Sequence, residues 1–145
     1  METWDTKIAG VVELPSGRRV RGRSLRASPT PGEEPALAVV LAGKRPESAR
    51  WEQRWIPWRD FWLPAHPDEA IATLREAYDR ASRDRVEIGC GGGIGRTGTA
   101  LAVLCVLDGM APEAAITWVR AHYHPRAIET PWQRRFVRRV RRGSP

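Results

Sequence analysis

The most informative segment of the chain is Val86-Glu87-Ile88-Gly89-Cys90-Gly91-Gly92-Gly93-Ile94-Gly95-Arg96-Thr97-Gly98. Its first three residues predict a short β-strand, and the glycine-rich run 89–95 predicts a turn. The apolar residues 97–107 then predict a helix that stops at Gly109. Because open α/β sheets bind ligands at the carboxyl ends of their strands, this unit predicts a ligand site at the turn.

Apolar patterns on either side of this stretch extend the alternation of strands and helices. The continuous apolar run 36–42 predicts a central strand that is buried on both faces. Helical spacing of apolar residues predicts helices over 67–83, 112–122 and 131–142, each opened by a proline. The fold class is therefore α/β, with a central, mostly parallel sheet flanked by helices.

The N-terminal part predicts a β-hairpin. Residues 8–14 and 18–25 flank the turn sequence Pro15-Ser16-Gly17. The run 28–35, with three prolines and a glycine, predicts a loop within the same domain. No internal repeat is present, and 145 residues suit one hydrophobic core. We therefore expect residues 1–145 to form a single domain.

The composition is typical of a soluble globular protein. Hydrophobic residues make up 41% of the chain and charged residues 28%, and no apolar run approaches the roughly 18 residues of a membrane span. The first residues show no basic region followed by an apolar stretch, so we expect a cytoplasmic protein. Cys90 and Cys105 are too few for a disulfide framework and lack zinc-ligand spacing, which predicts free thiols without a metal or an organic cofactor.

The net charge of +7 comes mainly from arginine. Lys7 and Lys44 are the only lysines among 24 basic residues, so 22 are arginines. Arginine binds phosphate through a planar, bidentate guanidinium, which favours an anionic ligand. A biased genome would explain the same composition, so the charge supports an anionic partner without selecting one.

Three motifs compete for the glycine-rich turn. A nucleotide-binding P-loop requires a glycine where Cys90 stands and a lysine where Arg96 stands, so that motif fails twice. Gly93, Gly95 and Gly98 satisfy G-x-G-x-x-G, but the acidic residue that should follow about 20 positions later is missing. The third motif is C-x5-R, with a cysteine and an arginine at the two ends of one loop.

C-x5-R at a helix start would combine a nucleophile with an anion site. Five loop residues, four of them glycine, allow backbone N–H groups to converge on one oxyanion, and the helix adds its positive end. The same field would stabilise a Cys90 thiolate. The predicted phosphate-binding residues are Gly91, Gly92, Gly93, Ile94, Gly95 and Arg96.

Three more candidate site residues lie in segments before and after the glycine-rich turn. The segment 58–64 precedes it and contains Asp60, Thr97 follows it directly, and the segment 129–133 contains Gln133. Together with C-x5-R, they resemble the cysteine-dependent protein tyrosine phosphatase superfamily, particularly its small bacterial dual-specificity-like members. The resemblance implies that Asp60 is the general acid, that Thr97 assists the departing thiolate and that Gln133 orients water.

Two positions depart from the family pattern. Gly89 stands where the family usually has a histidine before the cysteine. A glycine offers no side chain to stabilise the thiolate. Arg59 replaces the proline of the tryptophan–proline–aspartate loop, so we expect the closing motion of this loop to differ from that of the family. Asp68 and Asp84 are alternative acids, although the first resembles a helix N-terminal residue and the second a loop residue.

Other features have simpler interpretations. Cys105 lies in an apolar helix and is expected in the core, and His122 and His124 are expected at a helix end rather than at a metal. Trp51, Trp55, Trp58 and Trp62 are expected to pack as a covering for the site. The arginines of the last helix predict a solvated face, with acidic partners, nucleic acid or a membrane surface as alternatives.

The resemblance implies a phosphatase that acts through a phosphocysteine intermediate. Phosphotyrosine or dual-specificity protein substrates are expected, or another small phosphomonoester, and the protein is expected to be a monomer. Two alternatives remain: a phosphate-binding module that has lost turnover, and a nucleic-acid-binding protein that uses the arginine-rich last helix.

Overall fold

A computed structural model describes residues 3–27 and 32–140. Five strands form one sheet in the order β1-β2-β5-β3-β4. The strands are β1 Val11–Glu13, β2 Arg19–Ser24, β3 Leu37–Ala42, β4 Glu52–Pro57 and β5 Val86–Cys90. Only β1 and β2 pair antiparallel, and the other three pairings are parallel. The predicted class is confirmed: a mostly parallel sheet with an N-terminal hairpin.

Four helices flank the sheet; the helix predicted over 112–122 has those bounds, and the other three differ from the predictions by a few residues at one end. They are α1 Pro67–Arg80, α2 Gly95–Leu107, α3 Pro112–His122 and α4 Pro131–Arg139. Helix α1 ends three residues early because the backbone N–H groups of 83 and 84 bond back to Arg80 and form a turn. Helix α2 begins two residues earlier than predicted, at the second-last residue of C-x5-R.

The strand β4 was not predicted. Ile56 is its one buried residue, Glu52 is exposed and the other four are half-buried, because this strand is the edge of the sheet and pairs only with β3. Trp55 lies on this strand, and its Nε1 donates to the Ala42 carbonyl at 2.9 Å. Trp51 precedes the strand, so the regular tryptophan spacing follows an edge strand and the loop after it.

The middle strand β5 carries the decisive residue at its end. All five of its residues are buried, and it lies between β2 and β3. Glu87 on this strand is 1% exposed and accepts two hydrogen bonds from Arg21 on β2, while Arg23 lies 3.0 Å away. Helix α2 is buried along its whole length and packs against α1, α3 and α4. The loop between β5 and α2 is thereby fixed at both ends.

The last helix forms ion pairs with two other helices. Arg138 binds Glu113 on α3, and Arg139 binds Asp68 on α1 at 2.7 Å. Arg141, Arg142 and the first residues of the predicted 28–35 loop lie outside the described residues. Within the described part, no helix is long and apolar enough to cross a membrane.

Candidate active site

Cys90 is the last residue of β5, and its side chain lies inside the loop that leads to α2. The residue is 2% exposed. Its Sγ accepts a hydrogen bond from the Gly93 backbone N–H at 3.2 Å and one from the Thr97 hydroxyl at 3.0 Å. Both donors therefore point at the sulfur and fix its position at the base of the loop.

The turn 91–94 presents backbone N–H groups rather than side chains. Gly93 has a φ of 72°, and a Cβ there would lie 2.7 Å from the Ser24 backbone nitrogen, so only glycine fits. Among the residues that the structure describes, no side chain caps the start of α2. The first N–H groups of this helix are therefore free to bind an anion beside Cys90.

Arg96 reaches the site from the first turn of α2. It is 8% exposed, and its Nη1 donates to the carbonyls of Leu41 at 3.2 Å and Trp58 at 2.9 Å. Its buried Nε has no hydrogen-bond partner among the described residues, although Asp60 Oδ1 lies 3.5 Å away. A buried guanidinium that is held on one side and unsatisfied on the other suits an oxyanion ligand.

Asp60 lies on the loop 58–66 between β4 and α1, called the acid loop below, with its side chain exposed. The next residue, Phe61, has a φ of 63°, a left-handed conformation that bulky residues rarely adopt. Side-chain N–H groups hold the loop: Trp132 Nε1 donates to the Phe61 carbonyl and Trp58 Nε1 to the Trp62 carbonyl, both at 2.6 Å. These contacts keep the Asp60 carboxylate at the rim of the cysteine loop.

Gln133 is fully buried beneath the same loop. Its Oε1 accepts from the backbone N–H groups of Glu129 and Thr130, and its Nε2 donates to the Trp62 carbonyl at 3.3 Å. Together with the Thr130 hydroxyl it forms a capping box at the start of α4. The side chain thus connects α4 to the acid loop, and one hydrogen of its amide remains for a further acceptor.

Two residues near the site were missed in the sequence. Glu129 lies over Gly95, and burial together with the Asp60 charge raises the pKa of its carboxyl. Tyr123 donates from its hydroxyl to the Gly93 carbonyl, and burial together with the Cys90 charge raises the pKa of its phenol. Glu129 lies in the segment 129–133 but was given no role there, and Tyr123 belongs to no local motif; the fold brings both residues to the loop.

The alternative acids lie elsewhere. Asp68 is exposed at the start of α1 and binds Arg139. Asp84 precedes β5, at the opposite end of that strand from Cys90, and binds Arg80 at 3.1 Å. Of the three aspartates considered, Asp60 is the one that the structure places beside Arg96.

The two departures from the family pattern have structural reasons. A Cβ at Gly89 would lie 2.8 Å from Leu25 Cδ2 and 3.3 Å from the Arg23 carbonyl oxygen, so a histidine there would have to displace the Leu25 side chain. The Arg59 side chain packs over Gly43, with its Cγ 3.5 Å from the position of an added Cβ. Arg59 therefore continues the packing of the acid loop on the end of β3.

The tryptophans and histidines singled out in the sequence contribute less to the site. Trp58 is buried below the acid loop and Trp62 is exposed above it, so two of the four tryptophans cover the site. His122 stacks on Trp118 with ring centroids 4.2 Å apart, and His124 accepts from the Arg126 N–H. Among the described residues no cluster of three potential metal ligands occurs.

A family model and two curated relatives match parts of this chain. A family model described as "PTP-SAK: Swiss Army Knife protein, DSP-PTPase phosphatase domain" matches residues 33–144. Two uncharacterized proteins of Methanocaldococcus jannaschii are each 35% identical over 83 residues, which is 57% of this chain. The aligned part covers 51% of one and 55% of the other, so the chain spans about half the length of these curated relatives.

Solved structures share the fold. The active form of Tk-PTP is 27% identical, with a TM-score of 0.63 over 72% of this chain and 76% of that one. A mutant form of Tk-PTP, 23% identical, gives a TM-score of 0.69 over 88% of this chain and 92% of that one. Kinase associated phosphatase, with its catalytic-site cysteine replaced by serine, is 19% identical and gives 0.57 over 70% and 65%.

Proposed function

Because the chain belongs to the DSP-PTPase phosphatase-domain family, we propose that it hydrolyses phosphomonoesters through a phosphocysteine intermediate on Cys90. One observation carries the proposal. The Cys90 sulfur accepts two hydrogen bonds at the bottom of a glycine loop, and the unsatisfied edge of Arg96 faces the same rim as the Asp60 carboxylate. Nucleophile, anion site and acid occupy one small volume.

In the first step, the Cys90 thiolate attacks phosphorus opposite the leaving oxygen. The S–P bond forms as the P–O ester bond breaks, and the bonding pair leaves with the ester oxygen. Asp60 gives that oxygen its proton, so the product is a neutral alcohol or phenol. The loop N–H groups and Arg96 hold the three equatorial oxygens, where negative charge accumulates in the transition state.

In the second step, water attacks the phosphocysteine. Asp60, now a carboxylate, takes a proton from the water, the S–P bond breaks and inorganic phosphate forms. The Thr97 hydroxyl, 3.0 Å from the sulfur, stabilises the departing thiolate. Gln133 contributes to this step as the proposed water positioner, through the amide hydrogen that its contacts with the acid loop leave available.

Phosphorylated proteins are the proposed substrates, with phosphotyrosine or dual specificity. Exposed aromatic side chains stand around the acid, and Trp62 and Trp132 lie with ring centroids 5.7 Å apart. Such a rim suits the aromatic ring of phosphotyrosine. We also propose that the protein is a monomer and works in the cytoplasm, where both thiols stay reduced.

A generic aryl phosphate tests the proposal with two proteins, wild type and Cys90→Ser. We expect the wild type to release phosphate and the variant to lose turnover while it still binds orthovanadate, because serine is not ionised there but the anion site survives. Unchanged hydrolysis by the variant would refute the cysteine mechanism.

The same assay separates the alternatives. A phosphate-binding module would bind vanadate in both proteins and hydrolyse nothing. A nucleic-acid-binding protein would bind an oligonucleotide with a steep salt dependence and without hydrolysis.

A further inference from the structure

Two hydroxyl groups hold the carbonyls of the cysteine loop from outside. Ser24 Oγ, at the end of β2, donates to the Gly91 carbonyl at 2.8 Å. The Tyr123 hydroxyl, just after α3, donates to the Gly93 carbonyl. In a planar trans peptide, the C=O and the following N–H point in opposite directions. Each hydroxyl therefore turns one N–H, that of Gly92 or Ile94, away from itself and toward the inside of the loop.

The fold provides a place for Tyr123. A Cβ at Gly22, in the middle of β2, would lie 2.5 Å from the tyrosine ring, so the ring packs directly on the strand backbone. Burial and the charge of Cys90 raise the pKa of the phenol. Because a raised pKa keeps the hydroxyl protonated at neutral pH, Tyr123 acts as a hydrogen-bond donor to the loop.

The residue before Cys90 cannot donate a side-chain hydrogen bond to the loop. Gly89 has no side chain, and Leu25 occupies the space that one would need. The loop is nevertheless ordered around the sulfur, because the Gly93 N–H points at Cys90 while the Gly93 carbonyl points at Tyr123. The histidine that the family usually has before the cysteine is thus absent here. Tyr123, just after α3, contacts the other side of the same loop through the Gly93 carbonyl.

Building on the proposed function, we infer that Tyr123 is a positioning residue for the phosphate loop, with Ser24 as its counterpart. Tyr123 acts through the peptide that follows Gly93 and not on the reacting atoms. Its hydroxyl keeps the loop N–H groups in the anion-binding orientation.

Tyr123→Phe tests the inference because it removes the hydroxyl and keeps the ring. The matched control is Tyr78→Phe, which removes the other tyrosine's hydroxyl from its 2.7 Å bond to Asp108. The probes are orthovanadate affinity and the separate values of kcat and KM for an aryl phosphate. Other charged groups near the loop stay unchanged in the variant: Arg26, Asp60, Arg96 and Glu129.

We expect Tyr123→Phe to weaken vanadate binding about 10-fold, the usual size of one lost hydrogen bond, and to lower kcat more than it raises KM, because the loop N–H groups bind the transition state most strongly. Tyr78→Phe should change neither. Ser24→Ala should weaken vanadate binding in the same direction, which keeps the test valid if Tyr123→Phe does not fold.

Vanadate affinity within twofold of the wild type in both Tyr123→Phe and Ser24→Ala would overturn the inference, even where Tm falls. If the wild type hydrolyses aryl phosphate in that case, the proposed function stands and only the positioning role fails. A wild type that neither binds vanadate nor turns over would remove both.

Discussion

Cys90 and Cys105 belong to the same strand, turn and helix unit, and both are buried, at 2% and 0% exposure. Their surroundings differ. Cys90 receives two hydrogen bonds at the amino end of α2, where Arg96 supplies positive charge. Cys105 lies ten residues into that helix, about 15 Å along its axis, within the apolar core. Burial, with a contribution from Asp108, raises the pKa of Cys105 to about 12.

This contrast shows what burial alone does to a thiol. In the core, the loss of water penalises the thiolate and no donor compensates, so Cys105 stays neutral. At the loop, hydrogen-bond donors and the helix terminus replace the lost water. The chemistry of each cysteine therefore follows from its position relative to the start of α2.

Replacing each cysteine by serine tests the contrast with the largest effect. Cys90→Ser should lower turnover by about 10³-fold or more, since the reaction then has no thiolate. Cys105→Ser should keep kcat within about twofold, although a hydroxyl in the apolar core lowers Tm. Steady-state kinetics on one aryl phosphate measures both. A comparable loss of kcat in the two variants would break the comparison.

The acid loop gives the next largest effect. Asp60→Asn should lower kcat by about 10²–10⁴-fold for substrates with poor leaving groups. The loss should be smaller for activated aryl phosphates, whose leaving group needs no proton. A series of aryl phosphates with different leaving-group pKa values measures this dependence.

Glu129→Gln is the matched control, because its carboxyl lies at the same rim and has a raised pKa. We expect it to change kcat much less than Asp60→Asn does. If the leaving-group dependence appears in Glu129→Gln and not in Asp60→Asn, the acid role belongs to Glu129.

Unfolding at alkaline pH measures the effect of burial on Cys105 in the core. The folded pKa of Cys105 is raised from 9.0 to about 12, so its neutral form stabilises the folded state fully below pH 9. This contribution is lost as the pH rises from 9 to 12, because the unfolded chain then ionises first. The free energy of unfolding of wild type relative to Cys105→Ala should fall by on the order of 3 kcal/mol over that range. Denaturant unfolding of both proteins should show that decline, and a constant difference would contradict it.

The smallest effect concerns Gln133. Gln133→Ala should slow phosphocysteine breakdown about 10-fold more than its formation, as expected for one lost hydrogen bond to the attacking water. Thr130→Ala is the control, because it removes the hydroxyl of the same capping box and keeps the amide. Rapid-quench kinetics separates the two steps. Equal slowing of both steps in Gln133→Ala would assign the residue to the support of the acid loop alone.

The sequence predicts the amino end of α2 and its contact with Cys90, but it predicts less of the distant residues that surround this site. Strand β5, the glycine turn and the C-x5-R spacing are local patterns, so the contact between Cys90 and the helix start follows from a few adjacent residues. Strand β4 was missed because an edge strand buries little and because Trp55, with the tryptophans before and after the strand, repeats at helical spacing. Local patterning is strong only where a segment buries a regular apolar face.

Contacts between distant segments explain the rest of what was missed. Tyr123 reaches the loop only because Gly22, about a hundred residues earlier, leaves space for its ring. Gln133 was selected by resemblance, but its contact with the Trp62 carbonyl depends on how α4 packs beneath the acid loop. Such pairings depend on the topology, which periodicity does not encode.

The central claim is that Cys90 forms a covalent bond to phosphorus. Acid quenching of the wild type during turnover of an aryl phosphate, followed by proteolysis and mass spectrometry, measures it directly. The prediction is a phosphate group on the peptide that contains Cys90, absent from the Cys90→Ser protein, and no phosphate on the peptide that contains Cys105. Phosphate release with no phosphopeptide in any quenched sample, or a phosphate on another residue, would contradict the account.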